Sequence, residues 1–182
     1  MIHELAQTIQ RLKTSPKVGA NLSARMDIET SIKYLPVQDY LLFYEILEGK
    51  NQVNDIDAWA FGAEADLLAQ LVLEGTKTAT ASAYDLYAVD NDPLPEVGSY
   101  DVILDSKDQA VCIIQIKKVS VAPFKEVSEK HAFKEGEGDK SLDYWRDVHE
   151  EFFKPYFEEC GLTFTPESLI VLEEFEVVYP TV

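Results

Sequence analysis

The chain has 182 residues, of which 46% are hydrophobic and 11% aromatic, a composition typical of a folded globular domain. Its 33 acidic and 16 basic residues give a net charge of −17. This balance disfavours tight binding of duplex DNA or long RNA, because phosphate contacts need clustered Lys and Arg, but it allows a single nucleotide in a local pocket. No apolar run approaches the roughly 20 residues that cross a bilayer, and neither a signal peptide nor a cysteine scaffold is recognisable. We therefore expect a reduced, cytoplasmic protein with no membrane partner.

The first fifty residues have the pattern of a helical N-terminal extension. The spacing of their apolar residues predicts helices over residues 3–13, 27–34 and 37–48. A polar linker follows. We therefore divide the chain into an extension, residues 1–50, and a second domain, residues 51–182.

The second domain mixes helical and extended patterns. In chain order, they first predict a helix over 63–74, a strand over 77–84, and two strands over 99–104 and 110–121 that a hairpin joins. A short helix over 124–132, a longer helix over 141–153 and a last strand over 168–179 follow. Pro155 is expected to end or kink the longer helix. The strands are few and do not alternate regularly with helices. This order predicts an α+β fold, in which helices flank a small, mostly antiparallel β-barrel.

Two segments carry most of the chemistry in this domain. Gly75–Thr80 supplies one lysine, Lys77, among several hydroxyls, and Glu135–Asp139 supplies carboxylates on a glycine-rich loop. A lysine that meets a carboxylate across a fold is suited to acid–base or amide chemistry. The sequence leaves other interpretations open: a solvated strand lysine, and a loop that is merely flexible, binds a ligand or holds Mg²⁺. A regular strand would place Lys77 opposite Thr78 and Thr80, so Lys77 and Thr80 share a cleft only if the strand begins at a bend or bulge.

These segments, in this order, resemble the ASCH domain family (activating-signal-cointegrator homology) of the PUA-like barrel superfamily. The matching pieces are Gly75–Thr80, Pro93–Gly98, His131–His149 and Glu174–Val178, and the resemblance extends over about residues 59–180. The resemblance implies a PUA-like barrel with a cleft that binds RNA or nucleotides. Small bacterial members of the family are amidohydrolases that remove the acetyl group from the exocyclic amine of acetylated cytidine.

The resemblance also implies a catalytic set, which falls on Lys77, Thr80 and Glu135. In this hypothesis Lys77 is the base or nucleophile, Thr80 donates a hydrogen bond, and Glu135 relays the proton, with Glu137 as a substitute for Glu135. Desolvation would lower the pKa of Lys77 and make its amine usable, while a nearby Glu135 would oppose that change. The family usually has an arginine two residues after the second threonine, where this chain has Ser82.

The candidate ligand-binding residues are Thr78, Ser82, Tyr84, Glu137 and Arg146. Arg146 either reaches a phosphate or base or pairs with Glu150, four residues later on the same helix. The expected ligand is a nucleoside or nucleotide-like small molecule, and we expect neither a metal nor a cofactor.

Two other functions compete with an amidohydrolase. One is a non-catalytic module of the same fold that binds single-stranded RNA or regulates a partner. The other is an N-terminal extension that docks a protein while the cleft is vestigial. Four further side chains are interpreted as core residues: Trp59, Cys112, Trp145 and His149.

Overall fold

The computed structural model describes residues 56–179. The predicted helices of the N-terminal extension, and the boundary between the two predicted domains, lie outside the described residues. No helix within residues 56–179 is long and apolar enough to cross a membrane.

Five strands and four α-helices make up the described fold. In chain order they are β1 (Ile56–Ala60), α1 (Ala65–Leu73), β2 (Ala79–Ala83), α2 (Tyr84–Asp90), β3 (Tyr100–Leu104), β4 (Ala110–Pro123), a 3₁₀-helix (Phe124–Glu126), α3 (Glu129–Glu135), α4 (Leu142–Glu159) and β5 (Leu169–Tyr179).

The strands form one half-barrel sheet with the order β1-β3-β4-β5-β2. The pairings β3–β4, β4–β5 and β5–β2 are antiparallel, as predicted, whereas β1 pairs with β3 in parallel. Register shifts interrupt β4–β5 after Ile113 and after Ile116. Such bulges increase the local twist of a sheet, and here they help the two long strands to curve.

The structure differs from the expectations drawn from the sequence at three points. The pattern did not predict β1, because Asp57 and the polar residues before it hide an edge strand. It assigned Tyr84 to a strand, but that residue begins α2. Of the two outcomes expected at Pro155, an end or a kink, the end is wrong, because α4 continues to Glu159. A proline inside a helix removes one backbone hydrogen bond, and burial of Phe153 and Phe157 on either side of Pro155 holds α4 together across that gap.

The core of the described fold consists of two apolar clusters. One lies on the side of α1 and includes Phe61, Leu68, Val72, Ile103, Ile114, Ile116 and Phe175. The other lies on the side of α4 and includes Ala83, Leu86, Phe124, Trp145, Phe153, Phe157, Ile170 and Leu172.

The two chemistry-bearing segments meet in space, where the residues leading into β2 contact the end of α3.

The register of the strands identifies the side chains that share the α1 side of the sheet, which we call the inner face. Ile103 on β3 is opposite Trp59 on β1. Asp101 lies two residues before Ile103 on β3, so the side chains of Asp101 and Ile103 are on the same face of the sheet. Asp101 is opposite Ile114, which is opposite Val177 on β5. Alternation along β5 then adds Phe175 and Glu173, and Glu173 is opposite Thr80 on β2. Polar and apolar side chains therefore share this face.

Candidate functional site

A turn between α1 and β2 positions Lys77. Gly75 adopts a left-handed conformation (φ 71°), and the backbone N–H groups of Thr76 and Lys77 both donate to the Leu71 carbonyl at 2.9 Å. Regular pairing in β2 begins only at Ala79. Lys77 therefore precedes the strand, and alternation along β2 does not determine the direction of its side chain.

Backbone hydrogen bonds join this turn to α3 and β5. The Thr78 N–H donates to the Lys134 carbonyl at 2.8 Å, and the Phe175 N–H donates to the Thr78 carbonyl at 3.0 Å. The Thr78 hydroxyl donates to the same Lys134 carbonyl at 3.4 Å. Thr78, a predicted ligand-binding residue, therefore has a scaffolding role in this structure.

Glu135 lies at the C-terminal end of α3, which begins at a capping serine. The Ser128 hydroxyl accepts a hydrogen bond from the His131 N–H at 3.2 Å. Gly136 ends the helix in a left-handed conformation (φ 73°), and a Cβ atom at this position would lie 2.4 Å from the Thr76 carbonyl oxygen. Only glycine fits both the conformation and the approach, so this glycine is what allows the carboxylate loop to pack against the lysine turn.

Lys77 lies between two carboxylates. Its Nζ is 2.9 Å from Glu135 Oε2 and 2.6 Å from Glu137 Oε1. The side chains of Lys77 and Glu135 are each 1% exposed, whereas that of Glu137 is 17% exposed. The Phe61 ring centroid lies 5.2 Å from Lys77 Nζ. The structure therefore excludes a solvated strand lysine, and the start of the acidic loop is a tightly packed element.

Three further side chains surround the Glu135 carboxylate. Trp145 Nε1 donates to Oε1 at 2.7 Å, and His131 Nε2 lies 3.2 Å from the same oxygen. His149 Nε2 lies 3.5 Å from Oε2. The His149 ring stacks on the Trp145 ring, and its Nδ1 must carry the hydrogen because it lies 2.9 Å from the Trp145 carbonyl oxygen.

Trp145 and His149 are buried in the core, as predicted, but they also hold Glu135, which the sequence analysis missed. The spacing of four residues between His131 and Glu135, and between Trp145 and His149, was the signal that could have indicated two contacting pairs on helices.

The charges in this cluster determine its protonation. Burial by itself would raise the pKa of Glu135, but Lys77, His149 and the hydrogen bond from His131 hold that pKa well below its ordinary value. Burial would likewise lower the pKa of Lys77, yet Glu135 and Glu137 raise it above its ordinary value. The expectation that desolvation would free the amine is therefore wrong, because two nearby carboxylates outweigh desolvation. In the resting site Lys77 is an ammonium and Glu135 a carboxylate.

The other predicted residues of this segment are spread along β2 and α2. Thr80 is half-buried opposite Glu173. The Ser82 hydroxyl lies 2.8 Å from the Tyr87 hydroxyl, and burial raises the pKa of Tyr87. Tyr84 is half-buried at the start of α2.

Arg146 does not pair with Glu150 in this structure, and its other predicted role, contact with a phosphate or a base, stays a prediction. Its Nη2 donates to the Lys125 carbonyl at 2.9 Å, which ties α4 to the 3₁₀-helix. Glu150, the predicted partner, instead lies 2.6 Å from Lys154. Arg146 Nε is buried with no hydrogen-bond partner within residues 56–179. The predicted Arg146–Glu150 pair is therefore wrong.

Sequence reasoning missed two acidic residues on the inner face. Burial, together with the negative charges of Asp101 and Glu135, raises the pKa of Glu173 to about 8. Burial also raises the pKa of Asp101 to about 7, although Asp101 accepts a hydrogen bond from Trp59 Nε1 at 3.3 Å. Glu173 lies two residues from Val171 and two from Phe175, so it shares their face of β5. The position of Glu173 between two apolar residues of one face was the signal that could have identified it as inward-facing.

Cys112 is a buried thiol on β4, as predicted, and burial raises its pKa to about 12. It has the properties of an unreactive core residue.

Comparison with known proteins places this fold in a family. Among solved structures, the chain is similar to an ASCH domain from Lactobacillus crispatus, with 32% identity and a TM-score of 0.70 over 82% of this chain and 99% of that one. It is also similar to a protein from Enterococcus faecalis, with 37% identity and a TM-score of 0.68 over 78% of this chain and 87% of that one. No curated protein matches significantly. The ASCH domain profile matches residues 57–179, the range that carries the half-barrel, the lysine turn and the carboxylate loop, and the chain therefore belongs to the ASCH domain family.

Proposed function

We propose that this domain binds a nucleoside or nucleotide-like ligand beside Lys77 and hydrolyses an N-acyl amide on it, with acetylated cytidine as the first substrate to test. One observation carries the proposal. Lys77 is fully buried, yet it contacts two carboxylates, and the second of these, Glu137, remains partly exposed. A purely structural ion pair needs one carboxylate, whereas a second one at the rim can act on a bound molecule.

Amide hydrolysis assigns a separate task to each charged group. Water attacks the acyl carbon and transfers a proton to the Glu137 carboxylate, while Lys77 and the Thr80 hydroxyl donate hydrogen bonds to the oxyanion. The C–N bond then breaks, and the proton on Glu137 passes to the departing amine. The products are a carboxylic acid, which ionises, and the free exocyclic amine.

This assignment changes two roles that the family resemblance implies. Lys77 acts as an ammonium donor rather than as the base, because Glu135 and Glu137 stabilise its charge. Glu135 acts by holding Lys77, since its oxygens already face Lys77, Trp145 and the two histidines. Glu137 is the carboxylate with access to water, so it takes the part of proton acceptor.

The test is release of acetate from acetylated cytidine by the full chain. We expect turnover by the natural protein and its loss in Lys77→Met. Lys118→Met is the matched control, because Lys118 is an exposed lysine on β4 and should leave turnover unchanged. Folding of each variant is checked by circular dichroism. Absence of turnover in the natural protein, or full turnover in a folded Lys77→Met variant, would contradict the proposal.

One observation favours the alternative, a binding module without catalysis. A raised lysine pKa next to a depressed carboxylate pKa is also what a structural ion pair produces. Binding of long RNA is less favoured, because it needs lysines that are free to contact phosphates. The exposed residues Lys117, Lys118 and Lys125 each pair with a glutamate instead. Binding of cytidine by calorimetry, with no turnover of the acetylated form, would favour this alternative.

A further inference from the structure

Glu173 is a buried carboxyl group that has no polar partner in the described fold. The residue is only 6% exposed. No hydrogen bond or ion pair joins its side chain to another residue between 56 and 179. Burying such a group without a hydrogen bond is unfavourable, and a leucine of similar size would pack there without that cost.

The register of β5 directs this carboxyl toward the candidate site. Glu173 lies opposite Thr80, and both side chains are on the inner face with Asp101. Glu135 is close enough for its negative charge to raise the pKa of Glu173. The unpartnered carboxyl therefore lies among the residues that the proposed function uses.

The surroundings of Glu173 favour its neutral form. Asp101 and Glu135 add negative charge near it, and no cation pairs with it within residues 56–179. A protonated carboxyl has one donor, its O–H, and one acceptor, its carbonyl oxygen, side by side. This pair complements a molecular edge that presents one acceptor next to one donor.

We propose that Glu173 binds the base edge of the ligand, an edge on which a ring nitrogen acceptor adjoins an exocyclic N–H donor. Cytosine has this edge, and its acylated form keeps one exocyclic N–H. The inference rests on the proposed function and extends it, because it assigns the group that recognises the base rather than the group that cleaves the amide. Glu173 is thus a binding residue, distinct from Lys77 and Glu137.

Two variants of Glu173 distinguish hydrogen bonding to the base edge from an effect of the carboxyl group's charge. In Glu173→Gln the side-chain amide keeps one donor and one acceptor, whereas Glu173→Leu removes both. Glu176→Gln is the control, because Glu176 is an exposed residue of the same strand that pairs with Lys117. The readouts are KM and kcat for acetylated cytidine and the calorimetric Kd for cytidine, which does not depend on turnover.

We expect Glu173→Leu to raise KM for acetylated cytidine and Kd for cytidine by about ten- to a hundred-fold, the range of one bidentate base contact. Glu173→Gln should stay within about three-fold of the natural protein, because its two hydrogen bonds persist. The control should match the natural protein in both constants.

The outcomes distinguish the inference from the function on which it rests. If the natural protein turns over acetylated cytidine and Glu173→Leu has unchanged KM and Kd, only the inference is overturned. If Glu173→Gln loses as much affinity as Glu173→Leu, the carboxyl acts through its charge, and the inference is also wrong. If the natural protein neither binds cytidine nor turns over its acetylated form, the proposed function fails and the inference with it.

Discussion

Lys77 Nζ lies 2.9 Å from Glu135 Oε2, and both side chains are 1% exposed. The two residues are far apart in the sequence and come from a turn and from the end of a helix. A buried ion pair of this kind is costly to break on one side only, because the remaining charge loses its partner in a medium that solvates it poorly.

The first prediction concerns the stability of this pair. Lys77→Met should lower the free energy of unfolding by about 3–5 kcal/mol, because Glu135 is left buried without its cation. The double variant Lys77→Met/Glu135→Gln should recover a substantial part of that loss, since it removes both charges. Urea unfolding of the two variants and the natural protein measures the difference. A single variant as stable as the natural protein would show that Trp145 and the histidines hold the carboxylate without Lys77.

The second prediction separates the two carboxylates. Glu137→Gln should lower kcat by about 10²–10⁴-fold, because it removes the proton acceptor, while the melting temperature changes little for a partly exposed residue. Glu135→Gln should mainly lower stability, since Lys77, Trp145 and two histidines are arranged around a charged Glu135. The comparison uses kcat and the melting temperature of both variants. If Glu135→Gln loses kcat without losing stability while Glu137→Gln stays active, the two roles are reversed.

The third prediction concerns the loop that brings Glu135 to Lys77. Gly136→Ala should be about 1–3 kcal/mol more destabilising than Gly75→Ala, because its Cβ would meet the Thr76 carbonyl oxygen at 2.4 Å. Gly75 is the matched control, since its φ of 71° is close to the 73° of Gly136 and a Cβ there meets nothing within 4 Å. Both variants bear the strain of a left-handed alanine, so urea unfolding reports the contact alone. Equal losses in the two variants would mean that the backbone at Thr76 shifts freely.

The fourth prediction is a pH dependence of stability that arises from Glu173. The raised pKa of Glu173, about 8, means that the folded chain keeps a proton that the unfolded chain releases above its ordinary pKa of 4.5. This carboxyl therefore stabilises the folded state below pH 4.5 relative to higher pH, and stability falls by up to about 1.4 kcal/mol per pH unit as the pH rises toward 8. The groups near it are Asp101, Glu135 and Tyr87, and Asp101 contributes in the same direction because its own pKa is raised to about 7.

Urea unfolding across this pH range checks the prediction. Glu173→Gln should flatten the decline, whereas Glu176→Gln, which changes an exposed carboxylate on the same strand, should preserve it. The Gln variant should also be more stable than the natural protein near neutral pH, because an amide carries no charge to desolvate. An unchanged slope in Glu173→Gln would show that Glu173 ionises normally in the folded chain.

Local pattern and chain order were enough to predict much of the fold. The helix before Gly75, the two strands around the 105–108 hairpin and the last strand are present with small shifts at their ends. The helix after Ser141 is also present, but it continues past the predicted residue 153 to Glu159. These segments have strong periodicity or clear stop signals, so local physics decides them. The edge strand β1 and the helix α2 were missed, because pairing with β3 and contacts beyond the segment decide their conformation.

The sequence by itself was enough to single out Lys77 and the Glu135–Asp139 loop as candidate site residues, because a lysine among threonines and carboxylates between glycines are residue types suited to acid–base chemistry. Only the tertiary structure decided that Lys77 lies between Glu135 and Glu137, that its pKa rises, and that Glu173 faces inward without a polar partner in the described fold. The physical reason is that the pKa of a buried group depends on the charges that distant segments bring within a few ångströms of it, and chain spacing does not encode those distances.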